Sequence, residues 1–210
     1  MRIKTEQELF WEGDFGTGYT ERNIIDLEQR QPFFAKILQK TYGIKTICEL
    51  GANRGHNLQA IANLSHNFEL TGVELNQSAF IELEKIAIIQ SIQSSIQELE
   101  VNIKFDLVFT CGVLIHINPD DLPLVYQKMY ELSSRYILIN EYYNPVPVEI
   151  NYRGHESKLF KRDFAGELLE QYSDNIKVID YGFLWNKIDP AWDNTTWVLM
   201  EKKLELYDTL

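Results

Sequence analysis

The sequence lacks what several large function classes require. Only two of its 210 residues are cysteine, Cys48 and Cys111, and both lie inside short apolar runs. That reads as reduced core cysteine in a cytoplasmic protein and excludes a disulfide-stapled scaffold. No Cys/His spacing suggests zinc, and no metal is expected. No apolar run approaches the roughly 20 residues that cross a bilayer, so no membrane partner is expected. The opening Met1-Arg2-Ile3-Lys4-Thr5-Glu6 turns polar at once and has no signal-peptide core. Basic charge is also scarce: 20 Lys and Arg stand against 31 Asp and Glu, a formal net charge of −11. A phosphate backbone needs a basic surface, so a general nucleic-acid binder is excluded. The notable positive cluster is Arg153, His155, Lys158, Lys161 and Arg162. Internal repeats, low-complexity tracts and Pro/Ser-rich linkers are absent, which makes residues 1–210 one domain.

What is present is a core: 45% of residues are hydrophobic and 12% aromatic. Short apolar runs alternate with helical periodicity, which predicts an α/β fold, a mostly parallel sheet covered by helices. Strands are expected at Thr46–Leu50, Phe68–Leu75, Ile88–Ile92, Phe105–Val113 and Tyr136–Asn140. The fourth is nearly all apolar, as a central strand buried on both faces should be. Lys177–Trp185 and Thr195–Glu201 read as an antiparallel C-terminal hairpin, making seven strands. Asn76, Asn118 and Asp163 are placed to cap helices. The glycines of Phe10–Tyr19 (Gly13, Gly16, Gly18) predict a broken loop there, and Tyr142–Lys161 an irregular polar-aromatic insertion.

Two acidic positions carry the functional reading. Glu49-Leu50-Gly51-Ala52-Asn53-Arg54-Gly55 joins the first strand to the first helix after it, where doubly wound sheets bind ligands. Gly51 and Gly55 allow a sharp turn and close approach of backbone to ligand. The dinucleotide pattern G-x-G-x-x-G is missing, and Glu49 precedes the turn. A carboxylate there repels a pyrophosphate and suits the cationic amino group of an amino-acid-like ligand. Glu74 stands where the second apolar run stops, placed to accept hydrogen bonds from both hydroxyls of a ribose. Singly, each feature is an ordinary glycine turn or an exposed glutamate; together they point to one site.

This combination, with the strand Phe105-Asp106-Leu107-Val108-Phe109-Thr110, resembles the Rossmann-like S-adenosylmethionine-dependent methyltransferases across about residues 44–142. The resemblance implies S-adenosylmethionine as cofactor and S-adenosylhomocysteine as product. It implies that Glu49 and Gly51 line the methionine part, with Asn53 and Gly55 in the same loop. It implies Glu74 and Leu75 at the ribose, Ser95 and Ile96 at the adenine, and Cys111 in the lining. Two departures stand out: Asn53 replaces a glycine common in such loops, and Ser94-Ser95 replace an acid that commonly meets the adenine amino group. The stretch Phe10–Asn23 looks like the opening of methylases associated with pseudaminic acid biosynthesis. That implies a small carbohydrate-type acceptor, a sugar or nonulosonic acid. The chain then divides into a helical or lid segment over 1–42, a cofactor-binding core over 43–142, and a substrate-side insertion with the C-terminal hairpin over 143–210.

Methyl transfer to oxygen calls for a base beside the reacting methyl. His116, after the fourth strand, and Glu141, ending the fifth, are the candidate catalytic residues by strand-end position. Tyr142, Tyr143, Arg153 and His155 in the insertion, with Tyr19 and Arg22 from the other side, are the candidate acceptor-binding residues, since rings stack on sugars and cations hold carboxylates. Two alternatives stay open: a catalytically silent methyltransferase-like binding or assembly subunit, and a nicotinamide-dependent oxidoreductase.

Overall fold

Short apolar strands alternating with amphipathic helices can bury both sheet faces only if the helices divide between them. The computed structural model, which describes residues 2–203, shows that division. β1 (Thr46–Leu50) is flanked on one side by β2 (Glu69–Glu74) and β3 (Ile89–Gln93). On the other side lie β4 (Phe105–Cys111) and β5 (Ser133–Glu141), and all five run parallel. Two further strands, β8 (Ile176–Leu184) and β9 (Thr195–Lys202), form an antiparallel pair, and β9 also pairs antiparallel with β5. The seven-stranded order is β3-β2-β1-β4-β5-β9-β8. The chain reverses direction across the sheet between β1 and β4, and this switch point opens a crevice at their carboxyl ends.

One face is covered by α3 (Leu27–Leu38), α4 (His56–Leu64) and α5 (Gln77–Glu84). Their Phe34, Ile37, Leu58, Ile61 and Leu83 are fully buried with Ile47, Leu107, Phe109 and Leu138 of the sheet. The other face is covered by α6 (Leu122–Leu132) and α7 (Phe164–Gln171), whose Val125, Met129 and Leu168 pack on Val108 and Ile137. Asn76 and Asp163 cap α5 and α7 as expected, accepting from the Ala79 and Gly166 amides at 3.1 and 2.9 Å. Asn118 caps a short 3-10 turn, Pro119–Asp121, that leads into α6. β4 stops two residues before the expected end because Gly112 takes a left-handed conformation, φ 67°.

Two expectations are corrected. The glycine-rich N-terminal stretch is helical, forming α1 (Glu6–Glu12) and α2 (Asp14–Arg22) about a corner at Gly13. Tertiary contact overrides the low helix propensity of glycine here. Asn76 donates through Nδ2 to the Trp11 and Glu12 carbonyls at 3.0 and 3.1 Å, drawing the corner onto the start of α5. A Cβ on Gly16 would lie 1.8 Å from the Trp11 carbonyl oxygen, so no side chain fits. The insertion is likewise ordered, as the hairpin β6 (Val148–Tyr152) and β7 (His155–Lys161). Its two-residue tip, Arg153 and Gly154, has both residues at positive φ, the turn whose twist matches paired strands. The hairpin props the N-terminal helices: the Ser157 carbonyl accepts from Gln7 Nε2 at 2.9 Å, and Lys158 Nζ lies 2.9 Å from Glu6 Oε1.

The two α2 glycines should respond oppositely to the same change. Gly16→Ala should cost about 1–3 kcal/mol in urea unfolding, because the new methyl meets backbone. At Gly18 a Cβ meets only the tip of Arg22 at 3.3 Å. Gly18→Ala should therefore be neutral or stabilise by up to about 1 kcal/mol through helix propensity. Equal losses for both would contradict the close packing assigned to Gly16.

Candidate functional site

The crevice is an open cleft, floored by the β1–α4 turn and roofed by α1 and α2. Its floor is built from backbone that only special residues tolerate. The Gly51 and Ala52 amides donate to the Val73 carbonyl at 2.8 and 2.9 Å, laying the turn across the end of β2. Gly51 sits at φ 77°, and a Cβ there would come 2.6 Å from Val113 Cγ2. Asn53 is left-handed as well, φ 47°, a conformation asparagine adopts more readily than most residues. That explains how asparagine can stand where related loops carry glycine. Gly55, at φ 74°, is placed differently: a Cβ would strike Leu83 Cδ1 at 2.6 Å, and Gly55 does not line the cleft. Its glycine is required by the core behind the loop.

Glu49 and Glu74 both line the cleft, and both are buried. Glu49 Oε1 accepts from Asn57 Nδ2 at 2.6 Å, while Oε2 is buried without a partner. Burial pushes its carboxyl from the usual 4.5 up to about 8, against the opposing pull of Asn57 and Arg30. Glu74 is better satisfied: Oε1 accepts from the Asn76 amide and Oε2 from the Asn53 amide, each at 2.7 Å. Burial raises its pKa too, and these amides oppose the shift. The Leu75 amide also bonds this carboxylate, and of its roughly four acceptor sites at least one is left for a further donor.

Leu75, Ser95, Ile96 and Cys111 also line the cleft. Ser95 Oγ accepts from the Glu98 amide at 3.2 Å and Cys111 Sγ lies 3.8 Å from Asn140 Nδ2. His116 lines the cleft between the rings of Trp11 and Tyr152, with centroids at 4.4 and 5.0 Å. Its Nδ1 lies 2.6 Å from the Lys158 carbonyl oxygen. A carbonyl only accepts, so Nδ1 carries the proton and Nε2 is the free acceptor of the neutral ring. Burial lowers this imidazole to a pKa of about 4, keeping it neutral at physiological pH.

Glu141 is placed behind the cleft, outside its lining. Its carboxylate accepts from the Val113 and Ile115 amides at 3.0 and 3.4 Å, inside the turn that presents His116. It therefore acts on the loop rather than on a ligand. Burial lifts its pKa to about 7. Of the candidate acceptor residues, only Tyr19 lines the cleft. Arg22 lies over the Phe15 and Tyr19 rings at 5.0 and 5.5 Å. Tyr142 donates to Asp193 Oδ2 at 2.7 Å, Tyr143 is exposed, and Arg153 sits at the hairpin tip. His155 packs on Phe10 and Phe15 at 4.9 and 5.4 Å, supporting the roof from outside.

Residues that sequence reasoning passed over complete the site. Asn57 positions Glu49, Arg30 holds Asn57, Trp11 walls the cleft beside His116, and Gln97 lines the cleft beside Ser95. Asn57 was detectable in principle, since the first turn after a glycine loop faces the strand end. Arg30 arrives from α3 and has no local signal.

Residues 47–134 match the family described as a methyltransferase domain. No curated protein sequence matches the chain significantly. Among solved structures it is similar to 1,6-didemethyltoxoflavin-N1-methyltransferase of Burkholderia thailandensis, with bound 1,6-didemethyltoxoflavin and S-adenosylhomocysteine: TM-score 0.72, 16% identity, 98% of this chain and 93% of that one. Magnesium protoporphyrin IX methyltransferase of Synechocystis, with S-adenosylhomocysteine bound, gives TM-score 0.68 and 10% identity over 94% of this chain and all (100%) of that one. The N-terminal domain of EvdMO1, in the presence of S-adenosylhomocysteine and D-fucose, gives 0.61 and 15% over 85% and 84%. The fold is that of S-adenosylmethionine-dependent methyltransferases. Among the described residues of this methyltransferase fold, no helix is long and apolar enough to cross a membrane.

The buried groups set a pH dependence for the unliganded chain. A raised carboxyl keeps a proton that the unfolded chain has already released, so stability falls as pH rises toward the folded pKa. His56 and His116, both lowered to about 4, act in the opposite sense, with stability rising until pH 6.5. Above 6.5 the carboxyls prevail, Glu141 to about 7 and Glu49 to about 8. Urea unfolding should thus show a loss on the order of 1 kcal/mol between pH 6.5 and 8, most of it removed by Glu49→Gln. A flat curve in the wild-type chain would contradict a protonated Glu49.

Proposed function

We propose that the chain transfers a methyl group from S-adenosylmethionine to a small, polar, carbohydrate-type acceptor in a cytoplasmic setting. The observation that carries the cofactor half is the unpartnered buried oxygen of Glu49 in the same cleft as Glu74. In this reading Glu49 takes the ammonium, and Gly51 and Asn53 bring backbone close to the methionine part. Glu74 takes the ribose hydroxyls. Leu75, Ser95 and Ile96 flank the adenine, and Cys111 completes the wall. The cofactor supplies an electrophilic methyl on a sulfonium. His116 Nε2 would accept the proton of an acceptor hydroxyl held there, while the new O–C bond replaces the sulfonium S–C bond and S-adenosylhomocysteine leaves, the proton then passing to solvent.

Trp11, Tyr19 and His116 give the acceptor end flat faces with polar edges, which suit a sugar ring. The charge of −11 offers no general attraction to a polyanion. A neighbour of the same fold studied with D-fucose supports a sugar over RNA. The N-terminal resemblance narrows the proposal to a sugar or nonulosonic acid intermediate. The test is transfer of labelled methyl to a panel of sugars, sugar acids, sugar nucleotides and RNA. Transfer to RNA far faster than to any sugar would overturn the acceptor assignment.

Two substitutions separate the roles. His116→Ala should lower turnover by roughly 10²-fold on a hydroxyl acceptor and leave S-adenosylhomocysteine affinity nearly unchanged. Because the imidazole is already neutral near pH 5, the wild-type rate should not show a histidine-type rise between pH 6 and 7. Glu74→Ala should weaken S-adenosylhomocysteine binding by on the order of 2–3 kcal/mol in calorimetry. Undiminished affinity in a folded variant would remove Glu74 from the site.

A further inference from the structure

A guanidinium and a carboxyl at the inner end of the cleft are kept apart by an amide. Asn57 donates through Nδ2 to Glu49 at 2.6 Å and accepts through Oδ1 from Arg30 Nη1. Among the described residues, no ion pair within 4.0 Å joins Arg30 to Glu49. A direct pair would neutralise both charges. The spacer instead leaves one buried acceptor, Glu49 Oε2, and one buried donor, Arg30 Nε, each without a partner. Both residues line the same cleft. Arg30 is also fixed in place: Nη2 donates to the Ala191 carbonyl at 3.1 Å, and the guanidinium lies 4.1 Å from the centre of the Trp192 ring. A rigid guanidinium and a rigid carboxyl, which a ligand ammonium would ionise, are held one amide apart and match the two charges of an α-amino acid.

We propose that Arg30 is a specificity-determining binding residue, holding the carboxylate of the cofactor's amino-acid end while Glu49 holds its ammonium. The inference rests on the reading of the cleft as an S-adenosylmethionine site. Arg30 is desolvated at the cleft, which lowers its pKa, and the nearby Glu49 opposes that shift. An added carboxylate relieves the same desolvation. Zwitterion matching lets the site reject adenosine compounds lacking either charge, because each would leave one buried group unpaired.

The test is a cycle of protein and ligand changes read by calorimetry. The ligands are S-adenosylhomocysteine and its decarboxylated analogue, the adenosyl thioether with a bare aminopropyl chain. The wild-type chain should bind S-adenosylhomocysteine at least about tenfold more tightly than the analogue. Arg30→Met should lower affinity for S-adenosylhomocysteine by about 10- to 100-fold and change that for the analogue by less than about twofold. Arg30→Lys, which keeps the charge but loses the planar fork, should fall between. Equal losses on both ligands would make Arg30 a structural support and overturn the proposal. So would equal wild-type affinity for the two ligands, a result that needs no variant to fold. Failure of the wild-type chain to bind S-adenosylhomocysteine at all would overturn the underlying cofactor reading together with this one.

Discussion

Burying a carboxylate costs several kcal/mol unless hydrogen bonds or a counter-charge replace its water. This chain buries two at neighbouring strand ends, Glu49 and Glu74, and much of the local structure follows from how each is treated. For Glu74 the solution is internal. The Asn53 amide must reach it, which requires the left-handed turn at residues 51–55, and the Asn76 amide reaches it from the start of α5. For Glu49 the solution is incomplete: Asn57 satisfies one oxygen and the other waits. Incomplete satisfaction of a buried acid in a cleft marks a ligand site more sharply than an acidic side chain at a strand end does.

The same few residues carry the roof. Asn76 gives its amide to Glu74, its side-chain oxygen to the cap of α5, and its side-chain nitrogen to the carbonyls of Trp11 and Glu12. Glu74, helix start and roof are thus joined through one side chain. The roof is held by such side-chain bonds and by ring packing on the β6–β7 hairpin, with no strand pairing to the main sheet. The hairpin reaches the cleft as well, since the Lys158 carbonyl fixes the tautomer of His116. Glu141 secures the other side of that imidazole's loop through the Val113 and Ile115 amides.

The parallel sheet was legible because its strands are short apolar runs bounded by glycine and caps, and Asn76 and Asp163 cap where local sequence says they should. Glu49, Gly51 and Glu74 could be brought to one cleft by strand-end position, because a βαβ unit has one geometry, and Asn53 by the family resemblance of its loop. What misled was local propensity where distant contacts decide. Gly16 and Gly18 suggest a broken loop, yet the carbonyl of Trp11 and the amide of Asn76 demand a glycine within a helix. Gly55 looked like a ligand contact, but the neighbour that excludes a side chain is Leu83. Glu141 ends a strand beside the site and turns its carboxylate to backbone, a choice of rotamer that spacing does not encode. Arg30 and the Tyr142–Asp193 pair depend on loops meeting from far along the chain.

The most direct measurement is a crystal structure of the chain grown with S-adenosylhomocysteine. The expected result places the ligand ammonium about 3 Å from Glu49 Oε2 and the two ribose hydroxyls on Glu74, with the Asn53 and Asn76 amide bonds to Glu74 retained. A ligand bound elsewhere, or bound in the cleft with Glu49 Oε2 still unpartnered, would contradict the assignment of the two buried carboxylates as the cofactor's anchors.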